Sequence, residues 1–250
     1  MDKETIRQFR YLLKDSIRLE MDFSMTDQNK GLPPPPIQKP YSPNAILIDL
    51  PDFEHIISAG FKLFDAIEYR RSIRTYKDKP LTMSELSYLL YCCQGIQKVI
   101  SRSTALRTVP SAGCRHSFET YLCIINVDGL KKGIYRYLPL EKKLLQVYED
   151  NHIDEHIVSA TLGQSFTGRC AVDFVWSVIP YRMEWRYGLS AHKVIAIDVG
   201  HVCQNLYLSA ESIGCGVCAV GAYNQDLMDR LIEVDGEEEF VIYLASVGKI

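Results

Sequence analysis

The longest helical pattern in the sequence runs from Ala191 to Ile213, and it sets strong limits on the fold. Its apolar residues recur at helical spacing, and Gly214 follows where a helix commonly ends. A mainly apolar segment of strand length, Val172 to Ile179, precedes it and is typical of a buried strand. Helical and strand patterns alternate irregularly along the rest of the chain, with a hairpin in the middle. We therefore predict one α+β domain rather than a doubly wound sheet.

The other elements follow from the same kinds of pattern. Phe61, Leu63, Phe64 and Ile67 form the apolar face of a helix that leads into a basic segment at Arg70. A second helix begins with a capping box, Thr-x-x-Glu at 82–85, and carries apolar residues at 86, 89, 90 and 93. We predict a strand meander at 120–125, 133–137 and 144–148, a helix at 154–162, an extended or looped segment at 216–222, a helix at 225–232 and a last strand at 240–245.

The first sixty residues have a different character. A helical pattern at 4–20 is followed by a proline-rich stretch, with Pro33 to Pro36, Pro40 and Pro43. Proline lacks an amide donor and favours extended polyproline II, so this stretch is expected to be an arm that wraps the body or a neighbouring subunit. We divide the chain into an N-terminal helix and arm, 1–60, and a main domain, 61–250.

Charge and composition narrow the classes of partner. The 250 residues include 28 Lys and Arg against 31 Asp and Glu, a net charge of −3, so no basic field favours nucleic acid. No apolar run reaches the roughly 18 residues that span a bilayer, and the N-terminus lacks the pattern of a signal peptide. The eight cysteines are expected to be cytosolic thiols, most of them buried. A cytoplasmic protein with a small-molecule partner is predicted.

The segment Arg70-Arg71-Ser72-Ile73-Arg74 is the sharpest local signal of a binding site. Three guanidinium groups and a hydroxyl at a helix end can hold an anion, because guanidinium pairs with phosphate through two parallel hydrogen bonds. A solvated basic turn, or salt bridges to Glu68 or Asp78, would explain the same residues.

Other motifs are weaker when taken alone. The small residues of Pro110-Ser111-Ala112-Gly113 would let backbone approach a planar ligand, but such loops are also ordinary turns. Cys215-x-x-Cys218 and the glycines around it follow a helix instead of joining a strand to one, which argues against a redox pair or a dinucleotide fingerprint. His152 and His156 have no third ligand in view, so no metal site is predicted. His201, Gln204 and Asn205 are interpreted as internal packing residues.

The order of the motifs is more specific than any one of them. R-R-S-I-R-T-Y, P-S-A-G, W-R-Y-G, D-V-G-H-V-C-Q-N-L-Y-L-S-A-E-S-I-G, C-A-V-G-A-Y and S-V-G-K follow one another from about residue 61 to the end. This succession resembles the SagB-type branch of the nitroreductase superfamily. The resemblance implies a nitroreductase-like fold, with a mixed or antiparallel sheet flanked by helices, in an interlocked homodimer. It also implies an FMN cofactor at the dimer interface and NAD(P)H as a partner.

The resemblance also implies roles for particular residues. Arg70, Ser72 and Arg74 would contact the FMN phosphate and the pyrimidine edge of the flavin, with Arg71 beside them. The loop from Pro110 to Gly113, chiefly Pro110, Ser111 and Ala112, would line the FMN of the partner subunit. Val220 and Gly221 match the segment whose backbone amide faces flavin N5. Lys249 matches a terminal basic residue near the phosphate.

Arg186 and Tyr187 are the candidate catalytic residues. They lie where azoline dehydrogenases of the SagB type carry a Lys-Tyr pair that takes part in deprotonation. Arginine stays protonated in proteins, so Arg186 can orient a substrate but cannot readily act as a base. The sequence therefore favours hydride transfer between NAD(P)H, or another donor, and an electron-poor small molecule. Azoline oxidation in peptide modification and a non-catalytic flavin carrier or sensor remain as alternatives.

Overall fold

A computed structural model describes residues 2–57 and 60–250, and its main feature is a seven-stranded sheet between two helical layers. The strands are β1 (Leu47–Asp49), β2 (Ile96–Ser101), β3 (Thr104–Arg107), β4 (Phe118–Ile124), β5 (Gly133–Leu138), β6 (Lys143–Glu149), β7 (Val172–Val178), β8 (Cys215–Val220) and β9 (Phe240–Lys249). The helices are α1 (Lys3–Phe9), α2 (Ile17–Glu20), α3 (Leu63–Tyr69), α4 (Met83–Gln94), α5 (Ile153–Ala160), α6 (Tyr181–Tyr187), α7 (Ala191–Glu211) and α8 (Gln225–Leu231). The predicted α+β class is confirmed.

The strand order in the sheet is β1-β6-β5-β4-β7-β9-β8, and every neighbouring pair is antiparallel. The predicted meander of β4, β5 and β6 is present. Strands β2 and β3 form a separate hairpin outside this sheet.

Side chains that alternate along β7 build the two halves of the core. Phe174 and Trp176 belong to a cluster with Leu206 of α7 on one face of the sheet. Val175, between them, belongs to a second cluster with Ile157 of α5 on the opposite face. Because both faces are covered, every residue of β7 is buried, including the polar residues Asp173 and Ser177.

Helix α4 begins at the predicted capping box, and the last strand begins at the predicted Phe240. The capping box is complete, since the Glu85 amide donates to Thr82 Oγ1 at 3.2 Å and the Thr82 amide donates to the Glu85 carboxylate at 2.9 Å. β9 continues to Lys249, four residues beyond the predicted end.

The predicted single helix at 4–20 is wrong. The chain forms α1, a 3-10 turn at Arg10–Leu13 and then the short helix α2. None of these elements contains a buried residue. Tertiary packing supplies most helical stability in proteins, so a helical pattern without a packed face does not hold one long helix.

The proline-rich arm lies against the same chain and is held mainly through its carbonyl groups. Arg107 donates to the carbonyl of Ile37 at 2.9 Å, and Arg136 donates to the carbonyls of Lys39 and Pro40, each at 3.1 Å. An irregular segment has no neighbouring strand to satisfy its carbonyls, and these buried guanidinium groups supply the donors. Further along, β1 adds the edge strand of the sheet by pairing with β6.

Two helical surfaces are exposed in the single chain. The apolar face of α3 points outward, with Leu63, Phe64 and Ile67 exposed by 65%, 67% and 57%. On α7, Ile197, Gly200, His201 and Gln204 are also exposed, so the interpretation of His201 and Gln204 as internal residues is wrong for one chain. Asn205, by contrast, donates inward to the carbonyls of Cys92 and Thr108. Within the described residues, none of the helices is long and apolar enough to cross a membrane.

Candidate functional site

The basic segment is fixed in place by the edge strand β8. Helix α3 ends at Tyr69, and Arg70 takes an extended conformation with ψ 129°. Ser72 then forms a parallel bridge with Val217, and the Ile73 amide donates to the Val217 carbonyl at 2.9 Å. The segment therefore runs beside the sheet edge in a defined register.

Two of its arginines lie over aromatic rings. The Arg70 guanidinium is 5.1 Å from the centre of the Tyr207 ring, and that of Arg74 is 5.8 Å from the centre of the Phe166 ring. Among residues 2–57 and 60–250, neither guanidinium lies within 4.0 Å of a carboxylate. Both cations are therefore held in place by rings, with their hydrogen-bonding edges available to an anion.

Arg71 has a different environment. Its Nη1 donates to the backbone carbonyls of Glu68 at 2.9 Å and Arg70 at 2.8 Å, which closes the end of α3. The salt bridge to the Glu68 carboxylate that would have explained the basic segment is therefore not formed. Asp78 accepts from Asn126 instead.

Tyr207 of α7 joins the basic segment to the end of β8. Its hydroxyl lies 3.0 Å from Ser72 Oγ and accepts a hydrogen bond from the Ala219 amide at 2.8 Å. Val220 and Gly221 follow Ala219 directly. The structure thus brings Arg70 and Ser72 to the strand end that carries Val220 and Gly221.

The loop from Pro110 to Gly113 is anchored to a different part of α7. The Ala112 amide donates to Asp198 Oδ2 at 3.2 Å, and Ser111 Oγ accepts from the His116 amide at 3.0 Å. Burial raises the pKa of Asp198 above its usual range, and the hydrogen bond from Ser111 opposes that shift. Hydrogen bonds to Asp198 and within the loop therefore hold it in a defined conformation.

Arg186 and Tyr187 lie next to this loop. Gly113 has a φ of +57°, and a Cβ atom there would lie 2.7 Å from Tyr187 Oη and 2.9 Å from Arg186 Nε. A side chain at position 113 would therefore require the Tyr187 and Arg186 side chains to move. Arg115, two residues further on, holds its guanidinium 5.2 Å from the centre of the Trp185 ring.

The two groups of predicted site residues are on opposite sides of one helix. Asp198 and Tyr207 are nine positions apart on α7. At about 100° and 1.5 Å per residue, that spacing turns the side chains by half a circle and separates them by about 13 Å along the axis. A single chain does not bring the loop from Pro110 to Gly113 together with Arg70 and Ser72.

Lys249 lies away from both the Tyr207 region and the loop from Pro110 to Gly113. It forms a partly buried ion pair with Glu85 and pairs across the sheet with Cys215, at the far end of β8 from Val220. Burial would raise the pKa of Glu85, but Lys249 and Thr82 together lower it below its usual value. In this arrangement the Lys249 ammonium is directed at a carboxylate of α4.

Sequence reasoning missed Tyr207 and Asp198. The Asp198 carboxylate offered a signal, because it occupies a buried position of α7 next to the core residues Ile195, Val199 and Val202. An acid on such a face needs a partner. Tyr207 carried no comparable signal, since an aromatic residue at a buried helix position is an ordinary core residue.

The donors around Tyr207 match what FMN requires. A phosphate and the pyrimidine carbonyls of a flavin accept hydrogen bonds, and the Arg70 guanidinium and the Ser72 hydroxyl both lie at Tyr207. Arg74, two residues after Ser72, adds a second guanidinium, and neither guanidinium has a carboxylate partner within the described residues. All three side chains are at least partly exposed, so a ligand can reach them. These residues therefore fit an anionic flavin.

Comparison with known proteins decides the family. The profile of the Nitroreductase family matches residues 67–249, a range that includes nearly all of the sheet and the elements described above. The chain belongs to the nitroreductase family. It is accordingly an oxidoreductase with a nitroreductase-like fold.

One relative supports the same family, and solved structures share the fold. A candidate nitroreductase of Methanocaldococcus jannaschii is 31% identical over 202 residues, which cover 81% of this chain and 96% of that one. Among solved structures, a candidate nitroreductase of Anabaena variabilis has a TM-score of 0.69 and 24% identity over 83% of this chain, which spans only 42% of that longer protein. The microcin synthetase complex of E. coli, solved with a truncated pro-peptide, has a TM-score of 0.61 and 17% identity, covering 85% of this chain and 78% of that one.

Proposed function

We propose that this protein is an FMN-dependent oxidoreductase that transfers hydride between NAD(P)H, or another donor, and an electron-poor small molecule. The observation that carries the proposal is that the Arg70 cation and the Ser72 hydroxyl meet at Tyr207, near the end of β8, with Arg74 as a second cation two residues after Ser72. Family membership supports it, because nitroreductase relatives generally use flavin. The eight cysteines are free thiols, which favours a cytoplasmic enzyme.

Each residue would contribute binding or orientation. Arg70, Ser72 and Arg74 would hold the phosphate and the pyrimidine edge, where their positive charge favours the anionic reduced flavin. An amide of Val220 or Gly221 would donate toward flavin N5. When bound, FMN supplies the hydride chemistry at N5, so the protein needs no nucleophile of its own.

Arg71 and Lys249 would play lesser roles. Arg71 closes α3 and keeps Arg70 at the start of the extended segment. Lys249 would reach a phosphate only by sharing its ammonium with Glu85, and it would then act as a nearby charge more than as a direct donor.

We further propose a homodimer that completes each site with the loop from Pro110 to Gly113 of the partner subunit. The loop and the Tyr207 region lie on opposite sides of α7 in one chain, so one chain alone offers half of each site. The exposed apolar face of α3 and the uncharged exposed face of α7 supply surfaces for association. Gly200 adds open space on α7 that a second helix can approach.

The dimer can be tested at the α7 face. Ile197→Asp places a charge on this exposed surface and should convert dimers into monomers in sedimentation experiments. FMN should be lost in parallel if the partner loop completes the site. Leu140→Asp, at a similarly exposed apolar position between β5 and β6, reports the effect of an added charge away from this face. A monomeric wild-type protein, or a monomeric variant that keeps its FMN, would contradict the arrangement.

The cofactor proposal is tested by spectroscopy of the purified protein. A yellow protein with a flavin spectrum, or an apoprotein that binds added FMN, is the expected result. Arg70→Ala and Arg74→Ala should each weaken FMN binding by about tenfold or more, the loss of one charge-assisted hydrogen bond. Arg102→Ala removes an exposed guanidinium from the β2–β3 turn and should leave the affinity unchanged. Wild-type protein that binds no FMN would remove the central claim.

Azoline oxidation is the second candidate function. Tyr187 stands beside the loop from Pro110 to Gly113, where a proton acceptor would serve a substrate lying over the flavin. Arg186 in the place of Lys counts against it. Incubation with a thiazoline or oxazoline peptide, and a search of neighbouring genes for a cyclodehydratase and a precursor peptide, would distinguish the two. Turnover of azolines without nicotinamide oxidation would favour this candidate.

A non-catalytic flavin carrier or sensor would keep the FMN site without a working substrate cavity. Rapid mixing of the flavin-loaded protein with NADH or NADPH separates it from the enzyme. Fast bleaching of the flavin absorbance by either nucleotide, followed by reoxidation with an electron-poor nitroaromatic compound, is expected. A flavin that neither nucleotide reduces, and that no acceptor reoxidises after chemical reduction, would favour the carrier.

A further inference from the structure

The Tyr207 hydroxyl is the point where three parts of the proposed FMN site meet. It touches Ser72 from the basic segment and Ala219 from β8, and the ring of the same residue lies under Arg70. The side chain itself is buried in the sheet-facing side of α7. Tyr207 can therefore orient the groups that contact a ligand, although Tyr207 itself does not contact the ligand.

The direction of the hydrogen bonds follows from which atoms carry protons. The Ala219 amide can only donate, so the Tyr207 oxygen is an acceptor in that contact. Among the described residues, Ser72 Oγ is the one acceptor within reach of the phenol proton. If Ser72 donated to Tyr207 instead, the phenol proton would be left without a partner inside the protein, which is unfavourable.

The chain of bonds therefore runs from the Ala219 amide to Tyr207 and from Tyr207 to Ser72. Ser72 accepts on its inner side, and its own proton is left to point outward, where the residue is exposed. Hydrogen bonds arranged in one direction polarise each other, so the Ser72 proton becomes a better donor.

We propose that Tyr207 is a positioning residue that makes Ser72 a hydrogen-bond donor toward an acceptor oxygen of the bound ligand. The inference rests on the proposed FMN function, and the acceptor would be a carbonyl or phosphate oxygen of FMN. The ring has a second task, since it supports the Arg70 guanidinium from below. Tyr207 thus positions both the neutral donor Ser72 and the cation Arg70 on the same side of the proposed site.

The variant Tyr207→Phe separates the hydroxyl from the ring. It keeps the surface under Arg70 and removes the atom that orients Ser72. FMN affinity, measured by quenching of flavin fluorescence on binding, should fall about tenfold, the effect of one hydrogen bond. Tyr135→Phe is the matched control, because it removes a buried tyrosine's hydroxyl bond to the Lys131 carbonyl, away from the site.

A double-mutant cycle with Ser72 tests whether Tyr207 acts through it. Ser72→Ala should weaken FMN to the same extent as Tyr207→Phe, and the double variant should be no weaker than either single variant. Ser72→Thr retains a hydroxyl and should retain most of the affinity. Ser72 is exposed, so its variants remain informative even if Tyr207→Phe folds poorly, which urea unfolding would reveal.

The outcomes distinguish this inference from the function on which it rests. Wild-type protein without FMN affinity would overturn both. Wild-type affinity with an unchanged Kd in Tyr207→Phe, or losses that multiply in the double variant, would overturn only the role of Tyr207. A Ser72→Ala variant with full affinity would do the same.

Discussion

Asp173 is a carboxylate in the middle of the sheet, and its ionisation should make stability depend on pH. It lies on β7 with no exposed surface, accepts a hydrogen bond from Ser246, and takes another from the Cys170 thiol at 3.3 Å. Burial raises its pKa from 3.8 to about 7, although both hydrogen bonds oppose that change. At about 1.36 kcal/mol per pKa unit, ionising this group inside the fold costs about 4 kcal/mol.

The sign follows from proton counting. Between about pH 4 and pH 7, the folded chain holds a proton on Asp173 that the unfolded chain has released. The free energy of unfolding therefore falls as the pH rises through this range and levels off above about pH 7. Roughly 2.5 kcal/mol of the total should be lost between pH 5 and pH 8.

Asp173→Asn removes the titration and keeps the shape. Relative to wild type, its free energy of unfolding in urea should improve by roughly 2.5 kcal/mol from pH 5 to pH 8, at fixed protein concentration and cofactor content. Asp52→Asn, at an exposed position, should show a nearly constant difference. A difference for Asp173→Asn that stays within about 0.5 kcal/mol across this range would refute the reasoning.

Three further changes test the site and its support. Gly113→Ala should destabilise the fold by about 1–2 kcal/mol, chiefly because position 113 has a left-handed φ, and the side chains of Tyr187 and Arg186 must also move. An unchanged melting temperature would contradict this. Glu119→Gln should lower the free energy of unfolding in urea by about 3–5 kcal/mol, because it leaves the buried charge of Arg182, which is 2% exposed, without its partner. A decrease below about 1 kcal/mol would show that the fold does not depend on this ion pair. Asp198→Ala should weaken FMN binding several-fold in fluorescence titrations with little change in the free energy of unfolding, because it frees the loop that completes the partner's site. A decrease in the free energy of unfolding as large as the decrease in binding free energy would indicate a structural role only.

Sequence patterns predicted those elements that depend on contacts between residues close together in the chain. The capping box at Thr82 and the apolar repeat of α4 depend on residues three and four positions apart, and both are present. The three-residue strand β1 escaped prediction, because its pairing with Leu145 and its neighbours on β6 comes from tertiary structure. Helix α6 was missed as well, although Pro180 at its start is a signal that could have been used.

The candidate site divides in the same way. The basic segment and the loop at Pro110 were visible because unusual residues cluster in the sequence. The hydrogen bond between Ser72 and Tyr207 joins residues 135 positions apart. It could be predicted only if the pairing of the basic segment with β8 were already known. The pairing of Lys249 with Glu85, 164 positions apart, was hidden for the same reason.

The arm held by Arg107 and Arg136 has a consequence for how the chain resists proteolysis. A protease must draw several residues of extended backbone into its own cleft, and exposed irregular segments are the usual places of cleavage. Residues 37–40 form irregular backbone of the kind proteases cleave, but the carbonyls of Ile37, Lys39 and Pro40 are bound to the guanidinium groups of buried arginines. Cutting there requires breaking those bonds first, which takes carbonyl acceptors away from two buried guanidinium groups. Resistance to cleavage at residues 37–40 should therefore report the stability of the sheet and not that of a loop.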